Sequence, residues 1–151
     1  MLLSSSCVYG LRASLYLAAN QNGDYISIRE MSDNLDISFH FLTKTLQQLT
    51  NAGLMESQKG PKGGVRLTKK GSNISLFEIV EAIDGSDLFT ECALGLPGCG
   101  EEKPCPIHDK WANTRDNIRA MLQDTNLVEL AEKGKSLNLR ITADGSFEWG
   151  E

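Results

Sequence analysis

The residues best suited to chemistry lie in one stretch, "ECALGLPGCGEEKPCPIHDKW", from Glu91 to Trp111. It holds three of the chain's four cysteines and one of its two histidines, in the spacing Cys92-x6-Cys99-x5-Cys105-x2-His108. Thiolates are ligands for soft and borderline metals, and clustered cysteines in an intracellular chain favour that use over a disulfide. Gly95, Pro97, Gly98 and Gly100 let the backbone fold around a small object without side-chain clashes. Two groups suit such a loop. One is zinc held by three cysteines and a histidine. The other is an iron–sulfur cluster, 2Fe-2S or 4Fe-4S, held by three thiolates and a fourth ligand from elsewhere. Zinc knuckles usually show tight Cys-x2-Cys pairs, and only Cys105-x2-His108 is tight here, so the spacing favours iron–sulfur.

The rest of the chain bounds what such a group could serve. At 151 residues it can bury a real core without disulfide staples. The opening "MLLSSSCVYGLRASLYLAAN" lacks a basic leader and is interrupted by Arg12, so it does not read as a secretion signal. No run approaches the roughly 18 apolar residues of a membrane span. These features predict a cytoplasmic, reducing setting with no membrane partner. The net charge of −5 is uneven: residues 1–70 carry +3 and residues 71–151 carry −8. "KGPKGGVRLTKK", Lys59 to Lys70, holds five positive charges and no acid, which points to an anionic partner such as DNA. Acid–base constellations, substrate-cradling motifs and Cys-x2-Cys pairs are missing. A redox enzyme or thiol catalyst is therefore not expected, nor is a small-molecule substrate.

The elements that must position these residues can be read from periodicity. Val8, Leu11, Leu15 and Ala18 mark an amphipathic helix over 5–20, ended at "QNGD" with Gly23 as breaker. "SIREMSDNLD" predicts a second helix capped by Ser27, and "ISFHFLTKTLQQLTNAG" a third capped by Ser38 and terminated at Gly53. The short "LDI" link between them suggests helix-turn-helix. "LMESQKGPKGGVRLT" then reads as a β-hairpin with a basic, glycine-rich tip. Three helices followed by such a hairpin is the winged-helix order, and residues 1–84 are assigned to it. "SNISLFEIVEAIDG" carries Ser75 and Glu78 in a capping-box pattern and ends at Gly85. Residues 85–106 form the cysteine loop. Pro106 suits the first turn of a long helix, in which Ile107, Trp111, Thr114, Ile118 and Met121 make a narrow, coiled-coil-like seam. Residues 107–134 are thus expected to hold a dimerisation helix and a shorter helix stopped by Gly134. Residues 135–151 are a tail, with a possible hairpin at Asp144–Gly145. The fold class is mainly α with a small β-hairpin.

The chain resembles the winged-helix iron–sulfur regulators that include IscR, NsrR and RirA. The resemblance runs from Leu3 to about Leu130. It is carried by the opening helix with Tyr9, "SIREMSDNLDIS", "FLTKTLQQLTNAGL", "KGPKGGVRL", "ISLFEIVEAIDG", the three cysteines, and "HDKW". It implies a homodimeric transcription regulator, expected to repress, whose affinity for double-stranded DNA depends on a cluster sensing iron, redox state or nitric oxide. It implies a recognition helix beginning near Ser38 with His40, Thr43 and Lys44 facing the bases, a wing using Lys59, Lys62 and Arg66, and cluster cysteines at Cys92, Cys99 and Cys105. The IscR branch has Glu where Thr43 stands, so site preference need not follow that branch. Two fourth ligands are open. His108 matches the IscR arrangement. Cys7 lies one position before the acidic ligand that the NsrR branch draws from the other subunit, and that closeness tips the expectation towards Cys7. The alternative function is a constitutive winged-helix DNA-binding protein with a structural zinc.

Overall fold

In the computed structural model, which describes residues 2–20, 22–70 and 73–149, the chain forms seven helices and one hairpin among those residues. Helix α1 (Ser5–Ala19) begins at Ser4, whose hydroxyl accepts from the Cys7 N–H. Asp84 in turn accepts from the Ser4 N–H and hydroxyl, fixing the helix entry to the far end of the domain. Helix α2 (Ile28–Leu35) is capped by Ser27, whose hydroxyl accepts from the Glu30 N–H. It ends at Asp36 in the left-handed region, and Ile37 is buried under the turn while its carbonyl accepts from the Ser32 hydroxyl at 2.5 Å. Helix α3 (Phe39–Asn51) follows at once and stops at Gly53, whose φ of 81° only glycine adopts without strain. Ser38 occupies the N-cap position of α3 but makes no side-chain capping bond.

Strands β1 (Met55–Gln58) and β2 (Gly64–Leu67) pair antiparallel, with Glu56 opposite Arg66. Ile26 adds a short bridge to Val65, which ties the segment before α2 to the hairpin. Helix α4 (Leu76–Asp84) carries the full Ser75–Glu78 capping box and ends at Gly85, as the sequence predicts. The cysteine segment is not all loop: Asp87–Thr90 forms a one-turn helix, α5. Helix α6 spans His108–Asp124, so Pro106 sits just outside it, and Ile107 is the N-cap.

Helix α1 is the hub, packing on α2, α3, α4, α7 (Leu127–Leu137) and β2. One core gathers Leu17, Met31, Leu35, Leu42, Leu46, Leu49, Val65 and Leu127 between these elements. A second, smaller core holds Cys7, Val80, Phe89 and Leu122 where α1, α4, α5 and α6 meet.

The C-terminal region departs from expectation. Gly134 does not stop α7, which continues to Leu137 and closes at Asn138 in the left-handed region. The glycine serves a close approach instead, since a Cβ at Gly134 would run into the Trp149 indole. Of the predicted tail 135–151, residues 135–149 form neither a hairpin nor a loose tail, and residues 150–151 lie outside the described residues. A turn is present at Asp144–Gly145, closed by Thr142 and Ser146 donating to the Asp144 carboxylate. Its flanks fold back onto the domain instead of pairing. Trp149 is 7% exposed, donates its indole N–H to the Leu139 carbonyl at 2.7 Å, and meets Phe147 edge-on, as Phe147 meets Tyr16 of α1. Trp149→Ala should therefore cost about 3 kcal/mol or more, and lower the melting temperature by at least about 6 °C. An unchanged thermal melt would mean that the tail is not part of the core.

Candidate metal centre and nucleic-acid interface

The loop from Glu91 to Ile107 is held at both ends by α6. At its start, the Trp111 indole donates to the Glu91 carbonyl at 2.8 Å, Arg115 donates to the Thr90 and Glu91 carbonyls, and Arg119 donates to the Phe89 carbonyl at 3.1 Å. At its other end it runs directly into the helix, with the His108 N–H donating to the Cys105 carbonyl. Between these anchors the chain turns at Gly95 and Gly98, both with φ near +70°.

This brings Cys92, Cys99 and Cys105 together, with all three sulfurs within 4.8 Å of one another. The thiols are free, and Cys92 Sγ lies 3.4 Å from Cys105 Sγ, well beyond a disulfide bond. Backbone N–H groups point at the sulfurs: Leu94 donates to Cys92 at 3.4 Å and Cys105 donates to Cys99 at 3.3 Å. The N–H groups of Leu96 and Leu94 bring the Cys92 thiol down to about 7, favouring the thiolate, while burial pushes Cys99 up. His108 joins the group, its Nδ1 3.6 Å from Cys99 Sγ. Converging thiols, N–H donors aimed at sulfur and an adjacent imidazole suit a soft or borderline metal centre.

Cys7 is placed elsewhere. It is fully buried in the second core, on the first turn of α1, and is not among the thiols gathered within this chain. Burial first, then the Asp84 carboxylate, pushes its thiol up to about 12. The first helix positions it as a small apolar group.

The predicted nucleic-acid residues lie on α3 and the wing. Ser38, His40 and Lys44 are exposed. Thr43 is half-buried and donates its hydroxyl to the Phe39 carbonyl at 2.7 Å, so that group is already engaged. Lys59 and Lys62 are exposed at the hairpin tip. Arg66 is tied down: it pairs with Glu56 at 2.7 Å, donates to the Gly23 carbonyl at 2.9 Å and lies 4.3 Å from the Tyr25 ring centroid. It braces the wing against the segment preceding α2. Trp111, expected in the seam, instead anchors the loop, together with Arg115 and Arg119, which hydrophobic periodicity does not single out. Their four-residue spacing, 111, 115 and 119, was the available signal for one helix face.

In metal-free protein, an alkylating reagent such as iodoacetamide at pH 7.5 should modify Cys92 well before Cys7, because only a thiolate that is also reachable reacts. Peptide mass spectrometry over time checks this; early labelling of Cys7 would contradict its burial.

Comparison with known proteins agrees with this arrangement. The model of the Rrf2 family, described as an iron-dependent transcriptional regulator, matches residues 3–133. The HTH-type transcriptional regulator IscR of Escherichia coli is 30% identical over 139 residues, covering 92% of this chain and 85% of that protein. Among solved structures, CymR of B. subtilis, the global cysteine regulator, superposes with a TM-score of 0.74 at 25% identity, covering 87% of this chain and 96% of that one. CymR of Staphylococcus aureus gives 0.68 at 29% identity, with 85% and 97% covered. The family match spans the helix-turn-helix, the wing, the thiol loop and the long helix, and the chain belongs to the Rrf2 family of winged-helix transcription regulators.

Proposed function

We propose that this protein is a homodimeric transcription repressor whose grip on double-stranded DNA is set by an iron–sulfur cluster held by Cys92, Cys99, Cys105 and His108, acting in a reducing cytoplasm. The observation that carries the reading is the convergence of three sulfurs within 4.8 Å beside a histidine on the first turn of α6. A bound cluster would supply ligand exchange and one-electron chemistry, which suits iron supply, redox state or nitric oxide as the signal. This chain's residues supply the rest. The loop's anchors at Trp111, Arg115 and Arg119 make α6 follow any rearrangement of residues 92–105. Coupling of about 1–3 kcal/mol, common for allostery, changes promoter occupancy severalfold or more. Ser38, His40 and Lys44 face the groove, and Lys59 and Lys62 reach the flanking backbone.

The dimer reading draws support from α6. Ile118 packs into the second core and Trp111 is taken by the loop, but Ile107, Thr114 and Met121 are exposed, seven residues apart. A heptad stripe of this kind seals against a second copy, which two DNA half-sites call for. Met121 is 59% exposed in one protomer, so Met121→Asp should leave the fold intact while weakening self-association and DNA binding together. Sedimentation velocity at micromolar concentration checks this; a dimer unaffected by the substitution places the interface elsewhere.

The fourth ligand moves from the sequence expectation of Cys7 to His108, because His108 lies beside the thiols and Cys7 is buried with its proton held. After anaerobic reconstitution, His108→Ala should change the visible spectrum and shorten cluster lifetime, while Cys7→Ser leaves both as in the wild type. The reverse outcome restores Cys7, donated across the dimer. Iron and sulfide counts on anaerobically purified protein separate 2Fe-2S from 4Fe-4S, and a zinc content of one per chain without sulfide would favour the constitutive alternative.

A further inference from the structure

The outward face of α3 is bordered on both sides by an arginine set against an aromatic ring. At about 100° per residue, His40, Thr43, Lys44 and Gln47 share one face, and Phe39 and Phe41 fall about a right angle to either side of it. On the Phe39 side, the guanidinium of Arg29 lies 4.0 Å from the ring centroid. Arg29 is exposed and stands on the first turn of α2, two residues after the Ser27 cap. On the Phe41 side, Tyr9 of α1 meets the ring edge-on at 5.2 Å, and the Arg12 guanidinium lies 5.8 Å from the Tyr9 centroid. The two cations come from different helices and converge on opposite flanks of one helix.

Neither arginine is engaged in building the fold as Arg66 is. Among the described residues the ion pairs are Arg66–Glu56 and Lys69–Glu78, and neither Arg12 nor Arg29 donates a hydrogen bond to a protein acceptor. A ring attracts a cation without using up its N–H donors, so the side chain is steadied while its hydrogen-bonding capacity stays available. A helix about 10–12 Å across nearly fills a major groove about 12 Å wide. Each flank of such a helix then faces one strand of the phosphate backbone.

We propose that Arg12 and Arg29 are phosphate clamps, one for each backbone strand bordering the groove that α3 enters. The inference rests on the DNA-binding reading above and adds to it two binding residues outside the recognition helix and wing. Guanidinium groups recognise phosphate oxygens through two parallel bonds, and such contacts set register and orientation without reading sequence.

The test is fluorescence anisotropy of the full chain on a pool of random-sequence duplexes, about 30 base pairs long so that a dimer is spanned, over a series of salt concentrations. Each substitution removes two phosphate contacts per dimer, so Arg12→Ala and Arg29→Ala should each weaken binding and flatten the slope of log affinity against log salt by about 1.8, and the double variant by about 3.6. Arg12→Lys and Arg29→Lys should keep the slope, since the charge remains, while binding less tightly than the wild type. Relative preference across a sequence library should not change in any variant. An unchanged slope in an alanine variant whose circular dichroism matches the wild type overturns the clamp at that residue. A shifted base preference overturns it as well, by making the arginine a base reader. A wild type without affinity for any duplex overturns the DNA-binding reading itself, an outcome distinct from a binding wild type whose arginine variants behave identically to it.

Discussion

The carbonyls of Phe89, Thr90 and Glu91 stand at the end of a four-residue helix, where no further turn exists to accept from. Three side chains one turn apart on α6 donate to them instead. A short helix with unpaired carbonyls would not stay packed on a protein surface, so this set of bonds decides where the cysteine loop starts. Because the loop ends by becoming α6 itself, both of its ends belong to the same rigid rod. The sulfurs converge because the chain between those ends has only a short distance to cover and turns at glycines able to adopt positive φ.

The same α5–α6 pair reaches the DNA-binding half through the second core. Phe89 and Leu122 bury against Val80 of α4 and Cys7 of α1, and Asp84 of α4 holds Ser4, the cap of α1. Helix α1 in turn packs on α2, α3 and β2 of the winged helix. The route from thiols to recognition helix is therefore a sequence of packed rods, each with one or two polar ties at its ends. Cys7 is more telling as a member of that packing than as a thiol, since its proton is held by burial and a neighbouring carboxylate.

At the other side of α1, the tail does comparable work. Tyr16 donates to Glu30 and accepts from Asn34, both on α2, while its ring carries Phe147 and, beyond it, Trp149. The bare backbone of Gly134 is what admits the indole. Phe147 and Trp149 lie past residue 133, where the family match ends.

Much of this was legible without coordinates. Helix periodicity, the Ser27 cap, the Ser75–Glu78 box, Gly53 and the basic hairpin are local signals, set by interactions a few residues apart, and each appears where the sequence places it. The candidate metal centre was legible as a set of residue types, because Cys92, Cys99 and Cys105 have no other role in so polar a loop. What the sequence could not contain was which distant groups meet. It offered both Cys7 and His108 and leaned to Cys7, and only packing put His108 beside the thiols and Cys7 in a core. It read Gly134 as a stop, and a tryptophan fifteen residues away made it a contact. It counted Arg66 with the wing's free cations, and Glu56, Gly23 and Tyr25 claimed it. Local propensity determines elements; burial, close approach and the pairing of charges are long-range sums, and those the tertiary structure alone decided.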